Sequence, residues 1–155
     1  MSDASVVFSD DIVPKEVPGE SSATWTLLVI DDDQDVHNVT EFVMHGVSIL
    51  GRRLKFLHAY SAAEGRSILE QKLDIAVILL DVVMESETAG LTLVKTIREE
   101  LGYVATRIIL HTGQPGYAPE YEAIRDYDIN DYRIKSELNY SRLLTSLTAA
   151  IRSYM

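Results

Sequence analysis

Acids, a threonine and a lysine stand where strand-like segments of this chain end. Leu27-Leu28-Val29-Ile30 runs directly into Asp31-Asp32-Asp33, and a second apolar run, Ala76-Val77-Ile78-Leu79-Leu80, ends on Asp81. Further along, Ile108-Ile109-Leu110-His111 leads into Thr112, and Asp131-Tyr132-Arg133-Ile134 leads into Lys135. In an open parallel sheet, ligands bind at the carboxyl ends of the strands, so one sheet would bring all of these groups to one edge. Crowded carboxylates repel: at an effective dielectric near 20, two of them about 4 Å apart cost roughly 4 kcal/mol. Either one acid keeps a proton or a hard cation binds, and Mg2+ suits oxygen ligands that leave room for water and phosphate oxygens. Beside such a cation the Asp81 carboxylate can attack phosphorus and form an acyl phosphate. The Lys135 ammonium and the Thr112 hydroxyl would then each take a phosphoryl oxygen. Singly, every one of these residues has a plainer reading: helix caps for Asp31, Asp32 and Asp33, a turn for Asp81, a strand residue in Thr112, a solvated charge in Lys135. Their joint placement at strand ends favours the chemical one.

The elements that must position them follow from periodicity. Short apolar runs alternate with helical spacing, which predicts βαβ units and a mostly parallel sheet in a three-layer α/β domain. Strands are expected at Thr26–Ile30, Leu54–Tyr60, Ile75–Leu80, Arg107–His111 and Asp131–Ile134. A first helix from Asp35 would bury Val36, Val39, Phe42, Val43 and Val47, spaced by three and four. Ser61 and Glu64 form a capping box for a second helix. Leu91, Leu93, Val94, Ile97 and Leu101 mark a third. The fourth, near Pro119–Asp126, has only Tyr121 and Ile124 as core candidates, and Tyr140–Tyr154 forms the last. No internal repeat or low-complexity tract interrupts the pattern.

Composition narrows the class. A chain of 155 residues that is 46% hydrophobic and 25% charged supports one globular domain. The net charge of −10 argues against direct binding of nucleic acid phosphates. Apolar runs fall far short of the roughly 20 residues needed to cross a bilayer, so no membrane association is expected. The chain lacks cysteine, which excludes disulfides and thiolate metal sites, and no secretory signal opens it. Both observations fit the cytoplasm. Residues 1–24 set Asp3, Asp10, Asp11, Glu16 and Glu20 against Lys15 and contain Pro14, Pro18 and Gly19, which reads as a flexible acidic leader before a domain at 25–155.

The segments Leu28-Val29-Ile30-Asp31-Asp32, Asp81-Val82-Val83-Met84 with Gly90, Ile109-Leu110-His111-Thr112-Gly113 and Asp131-Tyr132-Arg133-Ile134-Lys135 together resemble the bacterial response-regulator receiver domain over roughly residues 25–155. That resemblance implies a flavodoxin-like, doubly wound parallel five-stranded sheet in the order 2-1-3-4-5. It implies a phosphoacceptor, Asp81, charged from a sensor histidine kinase or phosphotransfer protein, with no activity beyond self-phosphorylation and self-dephosphorylation. Mg2+ (or Mn2+) would be held by Asp32, Asp81 and the backbone carbonyl of Val83, with Asp31 acting through water and Asp33 an extra acid. Thr112, Lys135 and Tyr132 would bind phosphate and switch, Gly113 would keep room for the phosphoryl group, and Val83 and Gln114 would tune its lifetime. The resemblance also admits a homodimer through helix 4, strand 5 and helix 5.

Departures from the family matter too. Ser136 replaces the usual cis proline after the lysine, so a trans bond is expected, since a cis bond before a non-proline residue costs about 2.5–4 kcal/mol. Glu85 stands where a proline is common, and with Glu87 it would raise metal affinity or hinder an incoming phosphohistidine. His111 reads as a packed strand-end histidine. The wording around Gly113-Gln114-Pro115-Gly116 and Tyr127-Asp128-Ile129-Asn130 looks like receivers joined to HD-type phosphodiesterase or other signalling modules, which favours a receiver portion of a longer chain. Competing readings are a haloacid-dehalogenase-like phosphatase with Asp31 as nucleophile and Asp33 as acid, and a receiver-like module that binds partners without phosphorylation. A calcium loop fails because Val36 and Phe42 occupy the glycine and glutamate positions. Trp25, the sole tryptophan, offers a fluorescence probe.

Overall fold

The computed structural model describes residues 23–137 and 139–155, so nearly all of the 1–24 leader lies outside the described residues. Strands β1 (Thr24–Ile30), β3 (Arg52–Ala59), β4 (Val77–Leu80), β5 (Arg107–Thr112) and β6 (Asp131–Ile134) are parallel and lie in the order β3-β1-β4-β5-β6. This is the expected 2-1-3-4-5 sheet. β1 begins at Thr24, two residues earlier than its apolar run suggested.

A sixth strand, β2 (Ser48–Ile49), adds an antiparallel edge by pairing with Arg52 and Arg53. Its turn, Leu50-Gly51, has both φ values positive, at 48° and 81°. Such a two-residue turn matches the strand twist, and leucine is an unusual occupant of its first position, which is why the hairpin was not legible.

Alternation along the strands sorts the core into two. Leu28, Ile30, Ile78, Leu80, Ile108 and Leu110 face α2 (Ala62–Leu69), α3 (Ala89–Lys95) and α4 (Glu120–Asp126). Leu27, Val29, Val77, Leu79 and Ile109 face the other way, toward Met44 and the Leu143, Leu147 and Ile151 stripe of α5 (Tyr140–Tyr154). Central strands covered on both faces read as continuous apolar runs for this reason.

Two helices differ from expectation. α1 (Gln34–Val43) buries His37 and Thr40, and leaves Val39 59% and Phe42 82% exposed. The buried line runs through 37, 40 and 44, beside the expected stripe, of which Val43 and Val47 still pack against the core, because His37 bonds to the end of β1. α4 buries Ala123, while Tyr121 and Ile124, the expected core residues, stay exposed. α3 continues through a π-helical turn, Thr96–Glu100. Just beyond β5 and β6 the backbone forms short 3-10 turns, Pro115–Tyr117 and Lys135–Glu137. The Lys135–Ser136 bond is trans, as expected.

Candidate functional site

Parallel register builds the site. Ile30 pairs with Leu80, and Ile109 through Thr112 pair with Asp131 through Ile134, so Asp31, Asp81 and Lys135 each follow the last rung of a strand and Thr112 closes β5. The Asp81 N–H donates to Ile30 O at 2.9 Å, which holds the two acidic ends level. Gly90 makes this approach possible. Its N–H donates to Val82 O at 2.9 Å, and a β-carbon on it would lie 1.9 Å from Asp81 O.

The side chains converge as expected. Lys135 Nζ lies 2.8 Å from Asp31 Oδ2 and 3.3 Å from Asp81 Oδ2. Carboxylate oxygens of Asp31, Asp32 and Asp81 lie within 4.8 Å of one another. A cleft of about 360 Å³ opens above them, lined by Asp32, Asp33, Asp81, Val83, Thr112, Gly113, Gln114 and Lys135. Asp31 is buried beneath it. Three carboxylates offering hard oxygen donors, the buried Asp31 and Asp81 and the exposed Asp32, fit a divalent cation.

Electrostatics agrees with the geometry. Burial, reinforced by the Asp31 charge, pushes the Asp81 carboxyl up to about 6, against the opposing pull of Lys135. Burial alone would lower Lys135; the hydrogen bond and charge of Asp31, then those of Asp81, outweigh it and hold the ammonium above the ordinary lysine value. His111, buried and next in cause facing Lys135, is pushed down to about 4 and is a neutral ring at neutral pH.

Other site residues fall into two groups. The Thr112 hydroxyl oxygen accepts from Gln114 N at 3.0 Å, and Gly113 has open space toward Lys135, whose Cδ would be 3.7 Å from a β-carbon there. Tyr132 does not line the cleft. It is buried in the core behind β5, its hydroxyl donating to Ala118 O at 2.6 Å.

Acids near the mouth have separate duties. Asp33 is the N-cap of α1 and accepts from Asp35 N at 2.9 Å. Glu85 does not turn to the carboxylate cluster, against the first of the two roles expected for it: its carboxylate accepts from Ala62 N and Ala63 N at 2.9 and 3.1 Å. Burial works to raise its pKa, but these amides hold it below the ordinary glutamate value. It caps α2 across the gap between loops, alongside the Ser61 cap, whose Oγ accepts from Glu64 N. Glu87 bonds to the Tyr117 hydroxyl, raising that group.

No family model matches the chain. In structure it resembles the signal receiver domain of an HD domain-containing protein from Pseudomonas fluorescens, with a TM-score of 0.70 at 20% identity over 86% of this chain and 91% of that one. A receiver domain of a two-component histidine kinase from Clostridium thermocellum superposes at 0.69, with 22% identity over 83% and 98%. The fold is that of a response-regulator receiver domain.

Vibrio cholerae chemotaxis protein CheY4 shares this receiver fold at a TM-score of 0.66 and 23% identity, over 83% of this chain and 99% of that one. In sequence the chain is 42% identical over 134 residues to a 3'3'-cGAMP-specific phosphodiesterase 2 of Vibrio cholerae, a match covering 86% of this chain but 26% of that protein. A phosphatase built on Asp31 is poorly served by this arrangement, since Asp31 is buried under Lys135 and the required acid, Asp33, caps a helix. Among the described residues, no helix is long and apolar enough to cross a membrane.

Sequence reasoning missed His37, whose ring reaches the Asp31 carbonyl, and His58, which reaches His37. Only the spacing of His37 beyond Asp31, less than two helical turns into α1, could have pointed to it.

Proposed function

We propose that this chain is the phosphoryl-accepting receiver of a signalling protein, with Asp81 as acceptor. The observation that carries the reading is Lys135 Nζ set between Asp31 and Asp81, at 2.8 and 3.3 Å, beneath an open cleft. An Asp81 oxygen attacks the phosphorus of a phosphohistidine on a sensor kinase or phosphotransfer protein; the P–N bond breaks and the imidazole leaves, taking a proton. Mg2+, or Mn2+, held by Asp32, Asp81 and the Val83 carbonyl, with Asp31 through water, would neutralise the gathered negative charge. Lys135 takes one phosphoryl oxygen and the Thr112 hydroxyl another, while Gly113 leaves space and Val83 and Gln114, which line the cleft, would tune the lifetime of the acyl phosphate.

Drawing Thr112 toward a phosphoryl group frees its bond to Gln114 N and alters the packing between β5 and Tyr132. That is the two-state element through which charge at Asp81 reaches a surface. The exposed Tyr121 and Ile124 of α4 support an output or homodimer face formed with β6 and α5. Relation to one quarter of a phosphodiesterase supports a place inside a longer, cytoplasmic signalling protein.

Acetyl phosphate with Mg2+ tests the reading by intact mass. One phosphoryl increment is expected in the wild type and in Asp31→Asn, reduced in the latter, and none in Asp81→Asn. An increment that survives Asp81→Asn, or a wild type that takes none, overturns it. Trp25 is a poor reporter for this experiment: its Nε1 donates to Ile49 O, and six residue steps along β1, about 20 Å, separate it from Asp31.

A further inference from the structure

The inward side of α1 carries a polar chain that the phosphoryl chemistry does not use. His37 is buried, and its Nε2 lies 2.7 Å from the backbone carbonyl oxygen of Asp31. Its Nδ1 lies 2.6 Å from Nδ1 of His58 on β3, whose Nε2 lies 2.9 Å from the Glu41 carboxylate, back on α1. Tyr60 packs against the His37 ring, centroids 4.2 Å apart. Glu41 is exposed, so the chain runs from the surface to the end of β1.

Donor and acceptor inventory fixes its direction. A carbonyl oxygen only accepts, so His37 Nε2 carries the hydrogen it donates to Asp31. With the ring hydrogen of His37 committed on Nε2, its Nδ1 is the bare nitrogen of the pair and accepts from His58 Nδ1–H across 2.6 Å. At the far end another acceptor, the Glu41 carboxylate, faces His58 Nε2.

The Asp31 carbonyl belongs to the peptide that joins Asp31 to Asp32. Its orientation therefore sets both acids. The Asp31 N–H donates to Ala59 O at 3.1 Å, the residue after His58. Both backbone groups of Asp31 are thus tied to β3, one directly and one through two imidazoles. We propose that His37, His58 and Glu41 are positioning residues, a relay that fixes the Asp31–Asp32 peptide and so the spacing of the carboxylates that would bind the cation. The proposal rests on the phosphoacceptor reading above.

Labelling by acetyl phosphate across a Mg2+ series tests it, using the wild type, His58→Phe and His58→Asn. Phenylalanine keeps a ring and removes the donor; asparagine places an amide N–H near the Nδ1 position and restores it. The Mg2+ midpoint is expected to rise about tenfold in His58→Phe, as for loss of an outer partner of a metal ligand, and to return to within about threefold of wild type in His58→Asn. Nitrogen-15 NMR of the wild-type histidines, which needs no variant to fold, is expected to show His37 as the Nε2–H tautomer with a coupling across the two Nδ1 atoms. A wild-type midpoint in folded His58→Phe, or a His37 that carries its proton on Nδ1, overturns the relay. Failure of the phosphoacceptor reading looks different: the wild type stays unlabelled at every Mg2+ concentration, while the NMR result still judges the relay.

Discussion

Gly90 lies so close to Asp81 that a β-carbon on it would sit 1.9 Å from the Asp81 carbonyl oxygen and 2.8 Å from Cα of Val82. The obstacle is backbone, which cannot rotate aside as a flexible side chain can. Gly90→Ala should therefore push α3 away from the end of β4, destabilising the domain by about 3 kcal/mol, the upper range for overpacking. Urea unfolding measures the loss, and labelling of whatever remains folded should fall with it. A variant as stable as wild type would mean that the loop carrying Asp81 is looser than its packing indicates.

Asp81 is a carboxylate raised to about 6 by burial and by Asp31. Its ionised form is the unfavourable one in the folded state, so stability from this group is present at low pH and lost as pH rises from the unfolded value near 3.8 through about 6. Asp81→Asn should be more stable than wild type at pH 7 without divalent cations, by about 1–2 kcal/mol after discounting for solvent screening. Added Mg2+ should shrink the gap, because only the wild type keeps that ligand. Denaturant midpoints with EDTA and with Mg2+ check both statements.

His111 works in the opposite sense. With its ring pushed down to about 4 by burial and by Lys135, it contributes stability that is complete above pH 6.5 and lost as pH falls toward 4. At pH 5 the loss should be about 2 kcal/mol. Comparing His111→Phe with wild type at pH 7.5 and pH 5 isolates this part from the opposing titration of Asp81. Equal pH dependence in the two proteins would show that the ring is hydrated.

Glu85 caps α2 and lies outside the Asp31, Asp32 and Asp81 cluster. Glu85→Ala should cost about 1 kcal/mol, the usual loss of a helix cap, while leaving the Mg2+ midpoint of labelling within about twofold of wild type. A large shift in that midpoint would return Glu85 to the role its position beside Met84 suggested.

Where the linear order of residues coincides with spatial order, the sequence sufficed. Apolar runs of strand length ending on Asp31, Asp81, Thr112 and Lys135 specify a parallel sheet and its functional edge, because a strand's last residue lies at that edge whatever the helices do. Helix faces were less legible. Of the apolar stripe of α1, Val43 and Val47 pack against the core while Val39 and Phe42 face solvent, since the buried side turns toward His37 and its hydrogen bonds to Asp31 and His58, which no apolar spacing encodes. Tyr121 and Ile124 were the largest apolar residues of α4, yet a short helix over the end of a sheet had room only for Ala123.

By itself, then, the chain's order of residues determined five parallel strands and the acids, hydroxyl and ammonium at one edge, consequences of local periodicity and strand termination, while the strand order came from the family resemblance and the β2 edge from neither. Tertiary structure alone decided which way α1 turns, that Glu85 serves a neighbouring helix, and that two histidines far apart in sequence meet behind Asp31. Those outcomes depend on hydrogen bonds between elements, where direction and distance count and composition does not.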